Sequence, residues 1–235
     1  MKIIQSQSHS ASFNLAMEEY LFTHWTEELI FLYVNEKCVV MGRNQDVISE
    51  VDIVFCAIHA IPVFKRLSGG GTVYHDSGNL NYCFMSNRVP GESPLSNDFL
   101  LPIVNVLADL GVCVEIGIRN DLWLPGGNKV SGTASHIGKT RILHHGTLLY
   151  DVDLDMLENS LSCQKEVKKS RSIASVHSQV MNIRSYLLDK NLESPNAGSF
   201  FELFINKLLD YYFKDTLTEL SEVELAMIKP IIPVG

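Results

Sequence analysis

Apolar residues recur at helical spacing in several segments of the chain. In segment 10–25, "SASFNLAMEEYLFTHW", apolar side chains fall near every third or fourth position after cap-competent serines. Segment 96–111, "SNDFLLPIVNVLADLG", carries a similar stripe that ends at Gly111. The pattern predicts amphipathic helices in both segments. It predicts further helices at 49–60, 153–161 and 198–213.

Shorter runs rich in β-branched and aromatic residues indicate strands. These runs are 28–34, 37–42, 61–67, 72–76, 79–86, 112–116, 121–124, 128–135 and 141–152. Helices and strands alternate without the regular βαβ repeat of a doubly wound sheet, so we predict an α+β fold with mixed β-sheets flanked by helices. The basic segment 163–179, "CQKEVKKSRSIASVHSQ", has few large apolar residues and is predicted to be an exposed connection.

The composition is typical of a folded globular chain. It has 235 residues, of which 46% are hydrophobic, enough to bury a core. Its apolar runs fall short of the roughly 20 residues that span a bilayer, and its start lacks a signal-peptide core, so we expect a cytoplasmic location. A net charge of -8 disfavours broad binding to nucleic acid or anionic membranes. Any phosphate contact must therefore be local.

The cysteines indicate neither a disulfide framework nor a structural zinc site. They are odd in number, widely spaced and contain no CxxC pair. The five are Cys38, Cys56, Cys83, Cys113 and Cys163. We interpret most of them as buried thiols.

Three consecutive glycines, Gly69 to Gly71, follow Lys65 and Arg66 in "KRLSGGGTVYHD". A glycine pair is ordinarily a tight turn, but three bare peptide N–H groups can form a nest for an anion. The segment is not a P-loop, because GxxxxGK[ST] is absent. It is not a Rossmann fingerprint either, because strand-forming "TVYHD" stands where a helix would begin. The remaining functional interpretation is a strand–loop–strand corner that holds a phosphate-bearing ligand.

Lys129 lies on a predicted strand between glycines. A lone lysine is usually a solvated surface charge, but small neighbours favour one that neutralises a phosphate and polarises a carbonyl at close range. Asn120 and Asp121 would ordinarily form a turn. A carboxylate near a lysine and a phosphate is also where magnesium would be held.

Neighbouring side chains on a strand face opposite ways. His144 and His145 therefore cannot both bind one metal ion from their strand, which disfavours zinc, and one of them would face a pocket instead. For the same reason His75 does not form a catalytic dyad with the aspartate that follows it. Asn79 and Asn81, in contrast, share a face.

Five blocks of sequence together resemble the catalytic domain of the lipoate-protein ligase A family, within the wider group of biotin and lipoate protein ligases and lipoyl–octanoyl transferases. The blocks, in the family's order, are "FNLAMEEYL", "VVMGRNQD", "KRLSGGGTVYHDSGNLNYCF", "IRNDLWLPGGNKVSGTAS" and "ILHHGTLLYDVDLDML". The resemblance implies a biotin/lipoate protein ligase catalytic-domain fold, with a mixed sheet bent around a tunnel and residues 1–235 forming one catalytic domain. It also implies an ATP-dependent lipoate–protein ligase. Lipoate and MgATP would give lipoyl-AMP and pyrophosphate, and the lipoyl group would pass to a lysine of a lipoyl-domain protein.

The resemblance assigns expected roles residue by residue. Lys129 would contact the acyl carbonyl and the α-phosphate as the catalytic residue, and Asp121 would lie on the phosphate and magnesium side. The expected substrate- and nucleotide-binding residues are Arg66, Ser68, Gly69, Gly70, Gly71, Val73, Tyr74, His75, Asn79, Asn120, Asp121, Ser131, Gly132 and His145. The acceptors would be lipoyl domains such as the E2 subunits of 2-oxoacid dehydrogenases and the glycine-cleavage H protein. Because the mixed anhydride must be shielded from water, loop 126–128 and the stretch 165–178 are expected covers.

Two departures from the family pattern leave the complete ligase reaction open. Lys65 stands where the family's "RRxSGGG" motif has its first arginine, a change that loses a bidentate group. The small C-terminal accessory domain of many bacterial ligases is expected to be absent. The chain would then need a separate accessory subunit for adenylation, or would only transfer the acyl group from preformed acyl-AMP.

Three further interpretations compete with the ligase. A lipoyl- or octanoyl-transferase of this fold would use a cysteine thioester without ATP. Such enzymes have their cysteine about where Arg119 stands here, and Cys113 lies on the preceding predicted strand. A biotin ligase is less consistent with "LSGGGTVYHD". A catalytically silent binder of lipoyl-adenylate would use the same binding residues.

Overall fold

The structure, a computed structural model, describes residues 1–89, 91, 98–161, 175 and 178–234. Its strands in chain order are Lys2–Gln5 (β1), Leu29–Val34 (β2), Cys38–Met41 (β3), Val63–Lys65 (β4), Val73–His75 (β5), Asn79–Asn87 (β6), Glu115–Ile116 (β7), Leu122–Leu124 (β8), Asn128–Ser131 (β9), Thr133–Ile137 (β10) and Arg141–Leu149 (β11). Its helices are Ala11–His24 (α1), Val47–Glu50 (α2), Ile53–Ile58 (α3), Leu101–Asp109 (α4), Leu154–Ser160 (α5), Ile183–Asp189 (α6), Ala197–Tyr211 (α7) and Glu222–Met227 (α8). A short 3-10 helix, Asp98–Leu100, precedes α4.

The strands form three sheets. The largest has the order β1–β2–β6–β11–β10, with β1 parallel to β2 and the other pairs antiparallel. In the second sheet β3 lies between β4, which is parallel to it, and β5, which is antiparallel. The third sheet is the antiparallel set β7–β8–β9. Mixed sheets with flanking helices confirm the predicted α+β class.

The core lies on both faces of the five-stranded sheet. Strand β6 shows the division, because its side chains alternate between the two faces. Tyr82 and Phe84 pack in a cluster with residues of α4 and α7, whereas Cys83 and Met85 pack in another cluster with residues of α1. The central strands are therefore covered on both sides, which explains why nearly every residue of β6 and β11 is buried.

Side-chain caps fix the starts of several helices. Ser10 accepts a hydrogen bond from the Phe13 N–H at the start of α1, and Asn196 caps α7 in the same way. Asp153 caps α5. A side-chain oxygen at this position satisfies one of the free N–H groups of the first helical turn.

The helices predicted at 10–25, 49–60, 96–111, 153–161 and 198–213 are confirmed, the second as the pair α2 and α3. Each predicted strand is also present, but two differ from the expectation. Segment 112–116 retains only two strand residues, and segment 128–135 is divided at Gly132 into β9 and β10, which belong to different sheets. The single predicted strand is therefore two strands, β9 in the third sheet and β10 at the edge of the five-stranded sheet.

Three elements were not predicted: β1, α6 and α8. They are four, seven and six residues long, too short for a periodic pattern to emerge. The predicted connection 163–179 lies outside the described residues apart from Ser175, Ser178 and Gln179. None of the helices in the described part of the chain has the length and apolar character needed to cross a membrane.

Candidate active site

The glycine corner joins the two outer strands of the second sheet. It runs from Leu67 to Thr72 between β4 and β5. Gly70 has a φ of +83°, a left-handed conformation that favours glycine. The Arg43 N–H donates to the Ser68 carbonyl at 2.8 Å, which fastens the corner to the end of β3.

Arg66 holds the glycine corner from within. Its Nη2 donates to the carbonyl oxygens of Gly69 and Gly71, at 2.6 Å each. Its Nη1 donates to the Val40 carbonyl at 3.0 Å, and its Nε donates to the Ser68 hydroxyl at 3.0 Å. Burial lowers the pKa of Arg66 to about 10, so the guanidinium stays charged at neutral pH. Most of its donors are therefore committed to shaping the corner.

A cavity of about 300 Å³ opens beside the corner. It is lined by Leu15, Tyr33, Val40, Arg66, Gly70, Gly71, Thr72, Val73, His75, Asn81, Arg119, Asp121, Lys129, Gly132, Thr133, Ala134, His145, Gly146, Thr147 and Ser175. Among these described residues the cations Arg66, Arg119 and Lys129 outnumber the one carboxylate, that of Asp121. A locally positive cavity in a chain of net charge -8 suits an anionic ligand.

Lys129 and Asp121 face each other in the cavity. Lys129 lies on β9 and Asp121 directly precedes β8, so strand pairing within the third sheet brings them together. The Lys129 Nζ is 3.5 Å from the Asp121 Oδ2, and the lysine side chain stays about one-fifth exposed. A Cβ added to Gly132 would lie 3.5 Å from the Lys129 Cε. The small neighbour therefore leaves room for the lysine to lie flat along the cavity wall.

A buried chain of polar groups leads from the corner to α1. The Ser68 hydroxyl lies 2.7 Å from the His145 Nε2, and the His145 Nδ1 lies 3.1 Å from the Glu18 carboxylate. Tyr33 donates to Glu18 at 3.2 Å. Burial acts to raise the pKa of Glu18, but the charge and hydrogen bond of His145, with Tyr33 and Arg66, outweigh it and lower that pKa. Glu18 is therefore held as a buried carboxylate behind His145.

His75 reaches the cavity from β5. The Asn35 amide lies 3.1 Å from its Nδ1, while its buried Nε2 has no hydrogen-bond partner. Burial, followed by the charges of Arg66 and His145, lowers the pKa of His75 to about 3. His75 is thus a neutral imidazole in this site.

Nine of the predicted site residues line the cavity. They are Arg66, Gly70, Gly71, Val73, His75, Asp121, Lys129, Gly132 and His145. Three β-strands (β5, β9 and β11), the glycine corner and the residues next to β4, β8 and β9 bring them together from positions far apart in the sequence.

Six predicted site residues do not line the cavity. Ser68 and Gly69 lie behind its wall, where they contact Arg66. Tyr74 points to the other face of β5, into a cluster with Val39 and Met41, because neighbouring strand residues alternate.

The remaining three of these residues are held by local hydrogen bonds. The Asn79 Nδ2 donates to the Asn81 Oδ1 at 3.0 Å, so Asn81 reaches the cavity instead. The Ser131 hydroxyl is 3.0 Å from the Tyr82 hydroxyl. Asn120 forms the predicted turn with a φ of +61°, and its N–H donates to the Gly117 carbonyl.

The two adjacent histidines face opposite sides, as predicted. His145 lines the cavity, whereas His144 stacks on Phe99 with ring centroids 4.2 Å apart and lies 2.7 Å from the Ser135 hydroxyl. The pairing of Asn79 with Asn81 on one face is also confirmed.

Glu18 and Asn35 are the functional candidates that sequence reasoning missed. Glu18 lies on α1 four residues after Asn14 and three before Leu21, so all three share the buried face of the helix. Glutamate is almost never fully buried without a partner. A carboxylate in the apolar stripe of "FNLAMEEYL" was therefore the signal that a buried partner exists.

None of the four described cysteines lines this cavity. Cys113 is exposed and does not line it. Cys83 is fully buried, and burial followed by the Glu18 charge raises the pKa of its thiol well above the ordinary value. Because a thiolate is the nucleophilic form, the Cys83 thiol does not have the setting of a catalytic cysteine. Cys163 lies outside the described residues.

The donor set of the cavity fits magnesium better than a soft metal. Mg²⁺ is commonly held by one or two carboxylates together with substrate phosphates, and Asp121 is the carboxylate that lines this cavity among the described residues. Glu18, Cys83 and His145 also place ligand atoms within 4.8 Å of one another. Their atoms are already engaged with each other through hydrogen bonds, so this group is satisfied without an ion.

Known proteins of similar sequence and fold were found by comparison. Lipoate–protein ligase 1 of Staphylococcus aureus is 40% identical over 192 residues, a match that covers 80% of this chain and 58% of that protein. The chain thus spans little more than half the length of that relative. A solved structure described as a bi-partite lipoate protein ligase and its E2 lipoyl domain, from Thermoplasma acidophilum, matches with a TM-score of 0.78 and 22% identity over 96% of this chain and 89% of that one.

A structure of lipoate-protein ligase A bound with ATP matches with a TM-score of 0.75 and 21% identity, over 96% of this chain and 91% of that one. At these identities the two structures establish the fold. The sequence profile of the lipoyl protein ligase A/B catalytic domain matches residues 10–208. That match covers well over half of the sequence, and the chain therefore belongs to the lipoyl protein ligase A/B catalytic domain family.

Proposed function

We propose that this chain is the catalytic part of an ATP-dependent lipoate–protein ligase. In the first step, a carboxylate oxygen of lipoate attacks the α-phosphorus of ATP, the bond to pyrophosphate breaks, and lipoyl-AMP forms. In the second step, the ε-amine of an acceptor lysine attacks the acyl carbon and AMP leaves. Residues 1–235 would form one catalytic domain, and a cytoplasmic location stays a prediction.

The position of Lys129 is the observation that carries the proposal. Its Nζ stands in a positively charged cavity, partly exposed, opposite Asp121 and near the bare backbone of Gly70 and Gly71. Both steps build negative charge at neighbouring atoms, first on the α-phosphate and then on the acyl oxygen. A fixed cation beside both atoms stabilises both transition states.

The glycine corner and Asp121 would serve the nucleotide. The corner offers a surface without side chains, held open by Arg66, on which a phosphate can approach the main chain. Asp121 is the residue that would hold magnesium, which supplies positive charge to the phosphates when bound. Ser68 and His145 would fix the wall on the acyl side, with Glu18 behind them.

The acceptor would be a lipoyl domain. The Staphylococcus aureus relative is named a lipoate–protein ligase, and the Thermoplasma acidophilum structure is described together with an E2 lipoyl domain. The E2 subunits of 2-oxoacid dehydrogenases and the glycine-cleavage H protein are the acceptors that we propose for this chain.

The test combines purified protein, MgATP, lipoate and an apo lipoyl domain such as the H protein. We expect the mass of the acceptor to increase by one lipoyl group and pyrophosphate to be released, both only when ATP is present. Omission of lipoate and replacement of the acceptor lysine by arginine are the matched controls. An acceptor that stays unmodified with ATP and also with supplied lipoyl-AMP would refute the proposal.

A second candidate is a ligase that adenylates only with a separate accessory subunit. The match to the bi-partite archaeal ligase covers 89% of that chain, which favours this candidate over a cysteine-dependent transferase or a silent binder of lipoyl-adenylate. Modification from supplied lipoyl-AMP but not from lipoate and ATP would select this candidate. Modification of the acceptor from lipoate and MgATP, with no accessory subunit present, would exclude it.

A further inference from the structure

A line of buried polar side chains connects the end of β1 with the cavity. The Ser6 Oγ donates to the Asn14 Oδ1 at 2.6 Å, and the Asn14 Nδ2 donates to the Asn35 Oδ1 at 2.9 Å. The Asn35 Nδ2 lies 3.1 Å from the His75 Nδ1. All four side chains are buried, so each hydrogen bond is shielded from water.

Two backbone carbonyls fix the orientation of the Asn14 amide, and that orientation sets the direction of the hydrogen bonds that follow. The Asn14 Nδ2 also lies 2.9 Å from the Ser8 carbonyl oxygen and 3.3 Å from the Val34 carbonyl oxygen. A carbonyl oxygen only accepts, so the Nδ2 side of Asn14 must face these groups, and its Oδ1 must face Ser6. The next amide, Asn35, then receives the donor on its Oδ1 and turns its own Nδ2 toward His75.

The direction of the line determines which nitrogen of His75 carries the proton. An amide NH2 group has no lone pair to offer, so the His75 Nδ1 must accept the hydrogen bond from Asn35. A neutral imidazole has one N–H, which is therefore on Nε2. That Nε2 atom is buried without a partner, in a residue that lines the cavity.

We propose that Ser6, Asn14 and Asn35 are positioning residues that hold His75 as its Nε2–H tautomer, ready to donate a neutral hydrogen bond to an oxygen of the bound acyl-adenylate. The identity of the ligand rests on the proposed function, whereas the tautomer rests on the hydrogen bonds alone. A buried donor without a partner costs free energy in the empty site. A ligand oxygen would complete its hydrogen bonding.

The surroundings of His75 keep it neutral. Among the described residues, the titratable and charged groups that share its cavity wall or its strand pairing are Arg66, Arg119, His145, Lys129, Asp121, Tyr33 and Cys38, with Glu18 behind His145. Burial and then the charges of Arg66 and His145 disfavour the imidazolium. Wild-type His75 therefore donates from Nε2 throughout the neutral pH range without titrating.

Asn35→Asp tests this line of hydrogen bonds, which we call the relay from Ser6 through Asn14 and Asn35 to His75. The readout is the pH profile of kcat/KM, whose shape a merely structural role of Asn35 would not change. An ionised carboxylate only accepts, so it requires a proton on the His75 Nδ1. The Nε2–H then survives only in the imidazolium, which the new carboxylate favours at lower pH. Near about pH 8 we expect the kcat/KM of Asn35→Asp to be at least about tenfold lower than that of the wild type. The difference should become smaller as the pH is lowered toward about pH 6.

Asn182→Asp is the matched control for a buried carboxylate. Asn182 is also buried and exchanges two hydrogen bonds with the Val152 backbone, away from the cavity. This variant should lose stability without a change in the shape of the pH profile. An Asn35→Asp profile that runs parallel to that of the wild type would overturn the proposal.

Nitrogen-15 NMR of histidine-labelled wild-type protein reads the tautomer without any activity. His75→Gln identifies the signals of this residue among the eight histidines. We expect the Nε2 to carry the proton and the Nδ1 to be unprotonated, and we expect the Nε2 signal to shift when lipoyl-AMP is added. A proton on Nδ1, or an unmoved Nε2 signal in protein that binds lipoyl-AMP, would refute the relay. The expected tautomer in protein that lipoylates no acceptor, either from lipoate and ATP or from supplied lipoyl-AMP, would leave this inference intact and refute the proposed function.

Discussion

The Nζ of Lys129 lies 3.5 Å from the Oδ2 of Asp121, at the wall of the cavity formed by the third sheet. The carboxylate holds the ammonium in place before a ligand arrives, and the lysine remains about one-fifth exposed toward the cavity. A cation that is fixed but not fully neutralised suits a reaction in which negative charge appears on the substrate. This pair is the basis of the first prediction.

Lys129→Ala should lower the rate of lipoyl-AMP formation and the rate of transfer, each by about 10²- to 10³-fold, because both transition states lose a fixed donor. Single-turnover assays with ATP and with supplied lipoyl-AMP measure the two steps separately. Lys139→Ala, which removes an exposed lysine outside the cavity, is the control and should keep the wild-type rates. Full activity of Lys129→Ala would remove its proposed role.

Arg66→Lys should disturb the glycine corner, because a lysine cannot make the four hydrogen bonds of the guanidinium. We expect the free energy of unfolding to fall by about 2–3 kcal/mol and the KM for ATP to rise. Denaturant unfolding and initial rates measure the two effects.

Arg141→Lys separates loss of stability from loss of the site. Arg141 is likewise buried and donates to the carbonyl oxygens of Leu21, Trp25 and Glu27, far from the glycine corner. This control should lose comparable stability and keep its KM for ATP. Equal changes in KM for both variants would contradict a specific role of Arg66.

Gly70→Ala should be poorly tolerated. At a φ of +83° an alanine is strained, and its Cβ would lie 2.9 Å from the Ala134 Cβ and 3.1 Å from the Arg66 Nη2. We expect a loss of more than about 1 kcal/mol in the free energy of unfolding. Gly69→Ala, whose Cβ would meet no atom within 4 Å, should change that free energy by less than about 0.5 kcal/mol. Similar losses in the two variants would show that the corner does not have the described shape.

Cys113→Ser tests the thioester mechanism. The Cys113 thiol is exposed and does not line the cavity, so we expect the ATP-dependent rate to stay within about twofold of the wild type. Mass spectrometry of the protein with lipoyl-AMP should show no acyl group on this cysteine. Loss of activity together with independence from ATP would favour the cysteine-dependent transferase.

The periodicity of apolar residues was sufficient to predict the elements that carry long apolar stripes. It was insufficient to predict how the strands pair and which side chains they bring together. The stripe of 96–111 predicts α4 because its apolar positions repeat over three turns. The meeting of Lys129 with Asp121 depends on the pairing of β8 with β9, which no local pattern encodes.

The order of residues within a motif also does not show which of their side chains line the cavity. Tyr74 and His75 are neighbours in one motif, yet strand alternation sends Tyr74 into an apolar cluster and His75 into the cavity. Asn35 looks like an ordinary turn residue after β2. Its role follows only from the structure, in which hydrogen bonds join the Asn14 amide to the Asn35 amide and the Asn35 amide to the imidazole of His75.

The last prediction concerns the pH dependence of stability. The pKa of His75 falls to about 3 in the folded protein, through burial first and then the charges of Arg66 and His145. The unfolded chain therefore binds a proton below its ordinary pKa of 6.5 that the folded chain does not bind. Stability is then lost as the pH falls from about 6.5 toward about 3, with a slope of roughly 1.4 kcal/mol per pH unit.

His75→Gln should remove the contribution of about one proton to this slope, roughly 1.4 kcal/mol per pH unit. Denaturant unfolding between about pH 8 and about pH 5 measures the change. His144→Gln is the matched comparison, because burial followed by the His145 charge lowers the pKa of His144 to about 4 on the opposite face of the sheet. Both variants should therefore flatten the pH dependence of stability, whereas only His75→Gln should weaken lipoyl-AMP binding. An unchanged slope in His75→Gln would mean that His75 accepts a proton in the folded protein, contrary to its buried and neutral setting.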